Sequence, residues 1–173
     1  MVEAIFEDMS LQEEQEQFIK TLRLHDGVVY KICMMFTDRQ PDNVRDLYQD
    51  IVCNLWENRG KFRGECSEAT WYYRVGLSVA VTQVRKRRRR PLAIELTREM
   101  EETLAEESCN GQINELYRLI DRLNKSDKAL ILLYIDKLSL KDIASIMGLT
   151  EAAVGKRIQR IKEKLQTLNQ EEQ

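Results

Sequence analysis

The residues that could carry out chemistry in this chain are few, and their spacing narrows the choice further. His25 is the sole histidine, so a Ser–His–Asp arrangement has one possible base, at a junction where a surface or capping role suffices. Cys33, Cys53, Cys66 and Cys109 show no CxxC spacing. With one histidine beside them a zinc site has few ligands, and reduced, partly buried thiols are expected. There is no glycine-rich phosphate loop, and the many carboxylates sit in solvated runs. The sequence points away from an enzyme, and neither metal nor cofactor is expected.

What remains is cations and aromatic rings. Arg85, Lys86, Arg87, Arg88, Arg89 and Arg90 are six consecutive cations, which repel one another unless something anionic lies near. A phosphate backbone is such a partner; a solvated tail is the simpler alternative. Upstream, Trp71, Tyr72, Tyr73 and Arg74 place three rings and a cation in the first turns of an expected helix that begins near Ser67. Each ring can serve either the core or a stacked base. The loop before it, NRGKFRGE at residues 58–65, carries two glycines and adds Arg59, Lys61, Phe62 and Arg63.

Near the C-terminus, SLKDIASIMGLTEAAVGKRIQRIKEKL at residues 139–165 reads as helix, tight turn, helix. Leu140, Ile143, Ala144 and Met147 share one apolar face, and Ala144 is small where two helices must cross. Gly148 is expected in a left-handed conformation that turns the chain, with Thr150 capping the second helix. Val154, Ile158, Ile161 and Leu165 form the inward stripe of that helix. Ala152, Lys156, Gln159, Arg160 and Glu163 then point outward, on a face able to enter a major groove. A packed helical hairpin without DNA contacts fits the same spacing.

The elements that must position these groups are helical. Two prolines in 173 residues and only seven glycines argue against many β-turns. No apolar run approaches membrane-spanning length, and the acidic start lacks a signal peptide's basic and apolar segments, so a cytoplasmic protein without membrane insertion is expected. Charge is near balance overall but blocked locally: the first seventeen residues carry six acids and no base, and residues 95–107 carry six acids against Arg98.

In chain order, residues 1–9 read as disordered or frayed. A helix from Ser10 is interrupted at His25, Asp26 and Gly27 and resumes at Val28, ending near Thr37 and Asp38. Residues 42–57 give the most regular helix, with Val44, Leu47, Tyr48, Ile51, Val52, Leu55 and Trp56 on one side and Asp46, Gln49, Asp50 and Asn54 on the other. Residues 91–111 are an acidic linker ending in the turn signal Asn110-Gly111. Residues 129–135 are almost wholly apolar and should form a central buried helix. The expectation is an all-α chain: an N-terminal helical domain at 1–90, a linker at 91–111 and a C-terminal helix-turn-helix domain at 112–173.

Over residues 14–168 the chain resembles the two-domain extracytoplasmic-function sigma factors of bacterial RNA polymerase. The resemblance is carried by DLYQDIVCNLW at 46–56, KFRGE at 61–65, TWYYRV at 70–75 running on to the basic tract, and the helix-turn-helix that follows Ile120, Asp121, Arg122 and Leu123. It implies a specificity subunit whose partners are core RNA polymerase, promoter DNA and an anti-sigma factor. By the same resemblance Asp46, Gln49 and Asp50 dock the polymerase clamp, and the loop at 58–64 cradles an unstacked base at the −10 element with Arg59, Lys61, Phe62 and Arg63. Trp71, Tyr72, Arg74 and the tract Arg85, Lys86, Arg87, Arg88 and Arg89 track the melting junction. Lys156, Arg157, Gln159 and Arg160 read the −35 element, and the acidic linker threads the enzyme's basic channels. The chain departs from the family pattern with Ser78 and Thr82 where Asn and Asp are frequent, and with Ala153 and Gly155 where Thr and Lys are. A stand-alone helix-turn-helix regulator with a ligand-sensing or dimerising first domain is the alternative from another class.

Overall fold

The fold is taken from a computed structural model that describes residues 2–89 and 111–171. Every regular element among them is helical: α1 (Val2–Phe36), α2 (Pro41–Asn58), a 3₁₀ turn (Arg59–Lys61), α3 (Glu68–Arg89), α4 (Gly111–Asp121), α5 (Lys125–Ile135), α6 (Leu140–Met147) and α7 (Glu151–Glu171). The chain divides into two compact units, and the division falls between Ala80 and Val81, within α3. The expected acidic linker lies outside the described residues, except for Gly111, which opens α4.

In the first unit the inward positions of α2 are Leu47, Ile51 and Leu55, which meet Val29, Ile32 and Cys33 of α1 and Tyr73, Leu77 and Ala80 of α3; all are buried. A wholly buried Leu or Ile contributes about 1.5–3 kcal/mol, so this shared core outweighs local propensity. Gly76 lets α3 approach: a Cβ there would lie 2.6 Å from Ile32 Cδ1 and 3.6 Å from Ile51 Cγ2. Burial pushes the Cys33 thiol up to about 12, so it stays protonated and packs as a small apolar group. α3 begins near Ser67 as expected, and Ser67 caps it, its Oγ accepting from the Thr70 backbone N–H at 3.1 Å.

The start of the chain differs from the sequence expectation. α1 is one helix of 35 residues; its backbone is helical from Val2, where a disordered or frayed start was expected, and it runs through His25, Asp26 and Gly27. The physical reason at the expected break is tertiary. Tyr48 donates its hydroxyl to Asp26 Oδ1 at 2.6 Å, and the His25 ring packs 4.7 Å from Tyr72 while its Nε2 lies 3.3 Å from Glu68. Side chains that could have capped a break are committed across the unit instead. The cost of one glycine in a helix, about 1 kcal/mol, is smaller than the burial on either side.

In the second unit α5 supplies the centre, with Ala129, Leu130, Ile131, Leu132 and Leu133 all buried. Tyr134 and Ile135, expected in the same buried run, are exposed, because the helix ends there and Lys137 takes a φ of 60° to turn the chain. Asn124 caps α5, accepting from the Asp127 N–H at 2.9 Å. Ile143 and Ala144 of α6 and Val154, Ile158 and Ile161 of α7 complete the core with Leu119, Ile120 and Leu123.

Candidate nucleic-acid interface

Two surfaces gather the polar and aromatic residues singled out above, one in each unit. The first is the turn after α2. Asn58 ties it down, donating from Nδ2 to the Asn54 carbonyl at 2.7 Å and accepting from Lys61 Nζ at 2.6 Å, and Gly64 reverses the chain with a φ of 71°. Arg59 lies across the Trp56 ring, its guanidinium carbon 3.8 Å from the centroid. Its Nη1 donates to the Trp56 carbonyl at 2.9 Å. Phe18 meets the same indole edge-on at 5.2 Å, and Phe62 packs 5.9 Å from Trp71.

Phe18, Phe62 and Trp71 line a groove of about 860 Å³ together with Glu13, Glu14, Gln17, Thr21, Glu57 and Glu68. Of the expected contacts, Arg59, Lys61 and Arg63 are exposed, while Phe62, Trp71 and Arg74 are half-buried. Tyr72 lines the groove from within the core and is only 4% exposed. That burial, with the Glu68 carboxylate nearby, pushes its phenol up to about 12. Tyr73 is wholly a core residue. Arg85, Lys86, Arg87, Arg88 and Arg89 fall on the last turns of α3, and Arg90 lies outside the described residues. On the outer face of α2, Asp46, Gln49 and Asp50 are exposed, opposite buried Leu47 and Ile51.

The second surface is α7 with the turn before it. Gly148 takes a φ of 66°, and its N–H reaches the Ala144 carbonyl. Ser139 caps α6 by accepting from the Asp142 N–H at 3.1 Å, and Thr150 caps α7 by accepting from Ala153 N–H at 3.2 Å. With Val154, Ile158 and Ile161 committed to the core, Ala152, Ala153, Lys156, Gln159 and Arg160 face outward. Gly155, Lys156, Gln159 and Arg160 line one shallow concavity. Gln159 donates to Glu163 at 2.9 Å. Arg157 is turned aside from this group: its Nε donates to Asp127 Oδ1 at 2.7 Å, with 28% and 15% of the two side chains exposed. The pair braces α7 against the first turn of α5.

The sequence reading missed three things: this brace, the Gly76 crossing and the seat of α1 on the 58–64 turn. Each depends on partners too far apart in sequence for local periodicity to reveal.

No catalytic constellation is assembled among the described residues. His25 is taken up by Tyr72 and Glu68, no group of three or more His, Cys, Asp or Glu is placed to hold a metal ion, and no helix is long and apolar enough to cross a membrane.

Residues 21–90 match the family model described as sigma-70 region 2, and residues 113–165 match sigma-70, region 4. Together the two matches span more than two thirds of the chain. No curated protein sequence matches it. Among solved structures, the sigma factor RpoE in complex with the anti-sigma factor NepR from Bartonella quintana is similar at a TM-score of 0.69 and 20% identity, covering 90% of this chain and 98% of that one. CnrH in complex with the cytosolic domain of CnrY is similar at 0.66 and 18%, covering 92% and 91%. With region 2 and region 4 in that order on an all-helical chain of 173 residues, the protein belongs to the sigma-70 family and is of the extracytoplasmic-function type.

Proposed function

We propose that this chain binds core RNA polymerase in the cytoplasm and gives it promoter choice, with the first unit engaging and opening the −10 element and the second reading the −35 element. Its role is that of a sigma factor in transcription initiation. The observation that carries the reading is the ordered pair of region 2 and region 4 matches. The outward Lys156, Gln159 and Arg160 on a capped helix support it.

In this reading Lys156, Gln159 and Arg160 contact the upstream element directly, and Arg157, held by Asp127, sets the angle of the recognition helix while offering its remaining donors to phosphate. Phe62 and Trp71 offer ring faces to an unstacked base, and Arg59, Lys61, Arg63 and Arg74 supply cations beside it. Tyr72 acts from below, holding the His25 ring. The tract Arg85, Lys86, Arg87, Arg88 and Arg89 follows the flanking phosphates. Asp46, Gln49 and Asp50 dock the polymerase, and the 91–111 segment threads its basic channels. The similar RpoE structure is a complex with an anti-sigma factor, which supports an anti-sigma factor as the regulator of this chain too.

The docking assignment is tested with Asp50→Lys. Its position on the solvent side of α2 predicts an intact fold but impaired co-elution with core polymerase. Normal holoenzyme assembly by this variant would remove Asp50 from the interface.

A further inference from the structure

The groove beside the 58–64 turn has the wrong charge for its proposed ligand. Single-stranded DNA brings phosphates, yet Glu13, Glu14, Glu57 and Glu68 line the groove, and among the described lining residues Arg59 is the one cation. That cation is already engaged. Arg59 Nε and Nη2 both donate to Glu14 Oε2, at 3.1 and 2.7 Å.

Glu14 comes from a part of the chain that the family match does not include. The region 2 match begins at residue 21, whereas α1 begins at Val2, so Glu13, Glu14, Gln17 and Phe18 lie ahead of the matched segment, on the N-terminal arm of α1. Phe18 seats the arm through its edge contact with Trp56, the ring on which Arg59 lies. An apolar contact thus fixes the arm and brings a carboxylate onto the guanidinium. Glu13 and Glu14 both line the groove, so the arm offers the turn an anionic surface.

We propose that the N-terminal arm of α1 is a built-in competitor for single-stranded DNA, with Glu14 holding the Arg59 donors that a backbone phosphate or base would otherwise take. This rests on the reading of the 58–64 turn as the base cradle. The pair is 38% and 56% exposed, and exposed pairs of this kind are individually weak. The arm therefore sets a threshold rather than a lock. Free protein is kept off nucleic acid, and promoter DNA held close by the polymerase displaces the carboxylate.

The test is an anisotropy titration of the full chain with fluorescein-labelled single-stranded DNA of mixed sequence, about 12 nucleotides long, within the range one binding site covers. Glu14→Gln should bind about two- to fivefold tighter than the unaltered protein, from the size of an exposed ion pair. Glu13→Gln combined with Glu14→Gln should bind tighter still, with a gain that shrinks as salt is raised. Arg59→Ala should bind more weakly, and adding Glu14→Gln to it should change nothing. Glu14→Gln binding no tighter than the unaltered protein would overturn the competitor, as would a gain that persists in the Arg59→Ala background. Arg59→Ala binding as well as the unaltered protein would remove the cradle reading itself, and the competitor with it.

Discussion

The two candidate surfaces are built on opposite plans. On α7 the apolar stripe of Val154, Ile158 and Ile161 is buried while Lys156, Gln159 and Arg160 face out; support and contact are carried by different residues of one helix. Around the 58–64 turn the same residues do both. Trp56 packs against Phe18 and carries Arg59, and Tyr72 lines the groove while buried against His25. A rigid helix can present a face for duplex DNA without reorganising. A cradle for an unstacked base needs ring faces at the surface of a core, so its contact residues are also packing residues.

Substitutions can break or sharpen that contrast. The largest effect is expected at Trp56→Ala, which removes the edge partner of Phe18 and the platform beneath Arg59. About 3 kcal/mol of stability should be lost along with single-strand binding, read by denaturant titration and anisotropy. Stability loss without binding loss would separate two roles that the geometry joins. Next is Arg157→Ala, which leaves Asp127 largely buried without its ion-pair partner. A loss of about 1–3 kcal/mol of stability is expected, read by denaturant titration, which sets Arg157 apart from its neighbours on α7.

Arg160→Ala is the counterpart on the outward face. Stability should stay within about 0.5 kcal/mol, while affinity for the upstream element falls and its salt slope drops by about one unit. A matching loss of stability would contradict the division of labour on α7. The smallest effect belongs to Gly155→Ala. Nothing lies within 4 Å of a Cβ built there, so the helix should gain about 0.5–1 kcal/mol. Upstream-element binding should fall nonetheless, since Gly155 lines the same concavity as Lys156, Gln159 and Arg160.

The contrast also explains what could be read from residues alone. The helix-turn-helix was legible because its signals are local: Gly148, Thr150 and the three- and four-residue spacing of Val154, Ile158 and Ile161 lie within one short stretch. The face of α2 was legible for the same reason. Continuity of α1 was not, since Asp26 finds Tyr48 twenty-two positions away and local rules weigh Asp26 and Gly27 only as helix breakers. The ring assignments of α3 resolve only in three dimensions. Tyr73 belongs to the core, Trp71 is half-buried, and Tyr72 serves core and groove together. The Glu14–Arg59 pair spans forty-five positions and has no signature beyond the excess of acid at the start of the chain.

The central claim is a promoter-specificity subunit that holds DNA at two points, and run-off transcription tests it most directly. Purified chain is combined with core RNA polymerase on a library of templates with randomised upstream sequence, and the templates that yield transcript are sequenced. The expected result is enrichment of two separated elements at fixed spacing, dependent on the added chain, with the upstream element lost in Arg160→Ala. No chain-dependent transcript from any template, together with protection of a palindrome by the protein alone, would contradict the account.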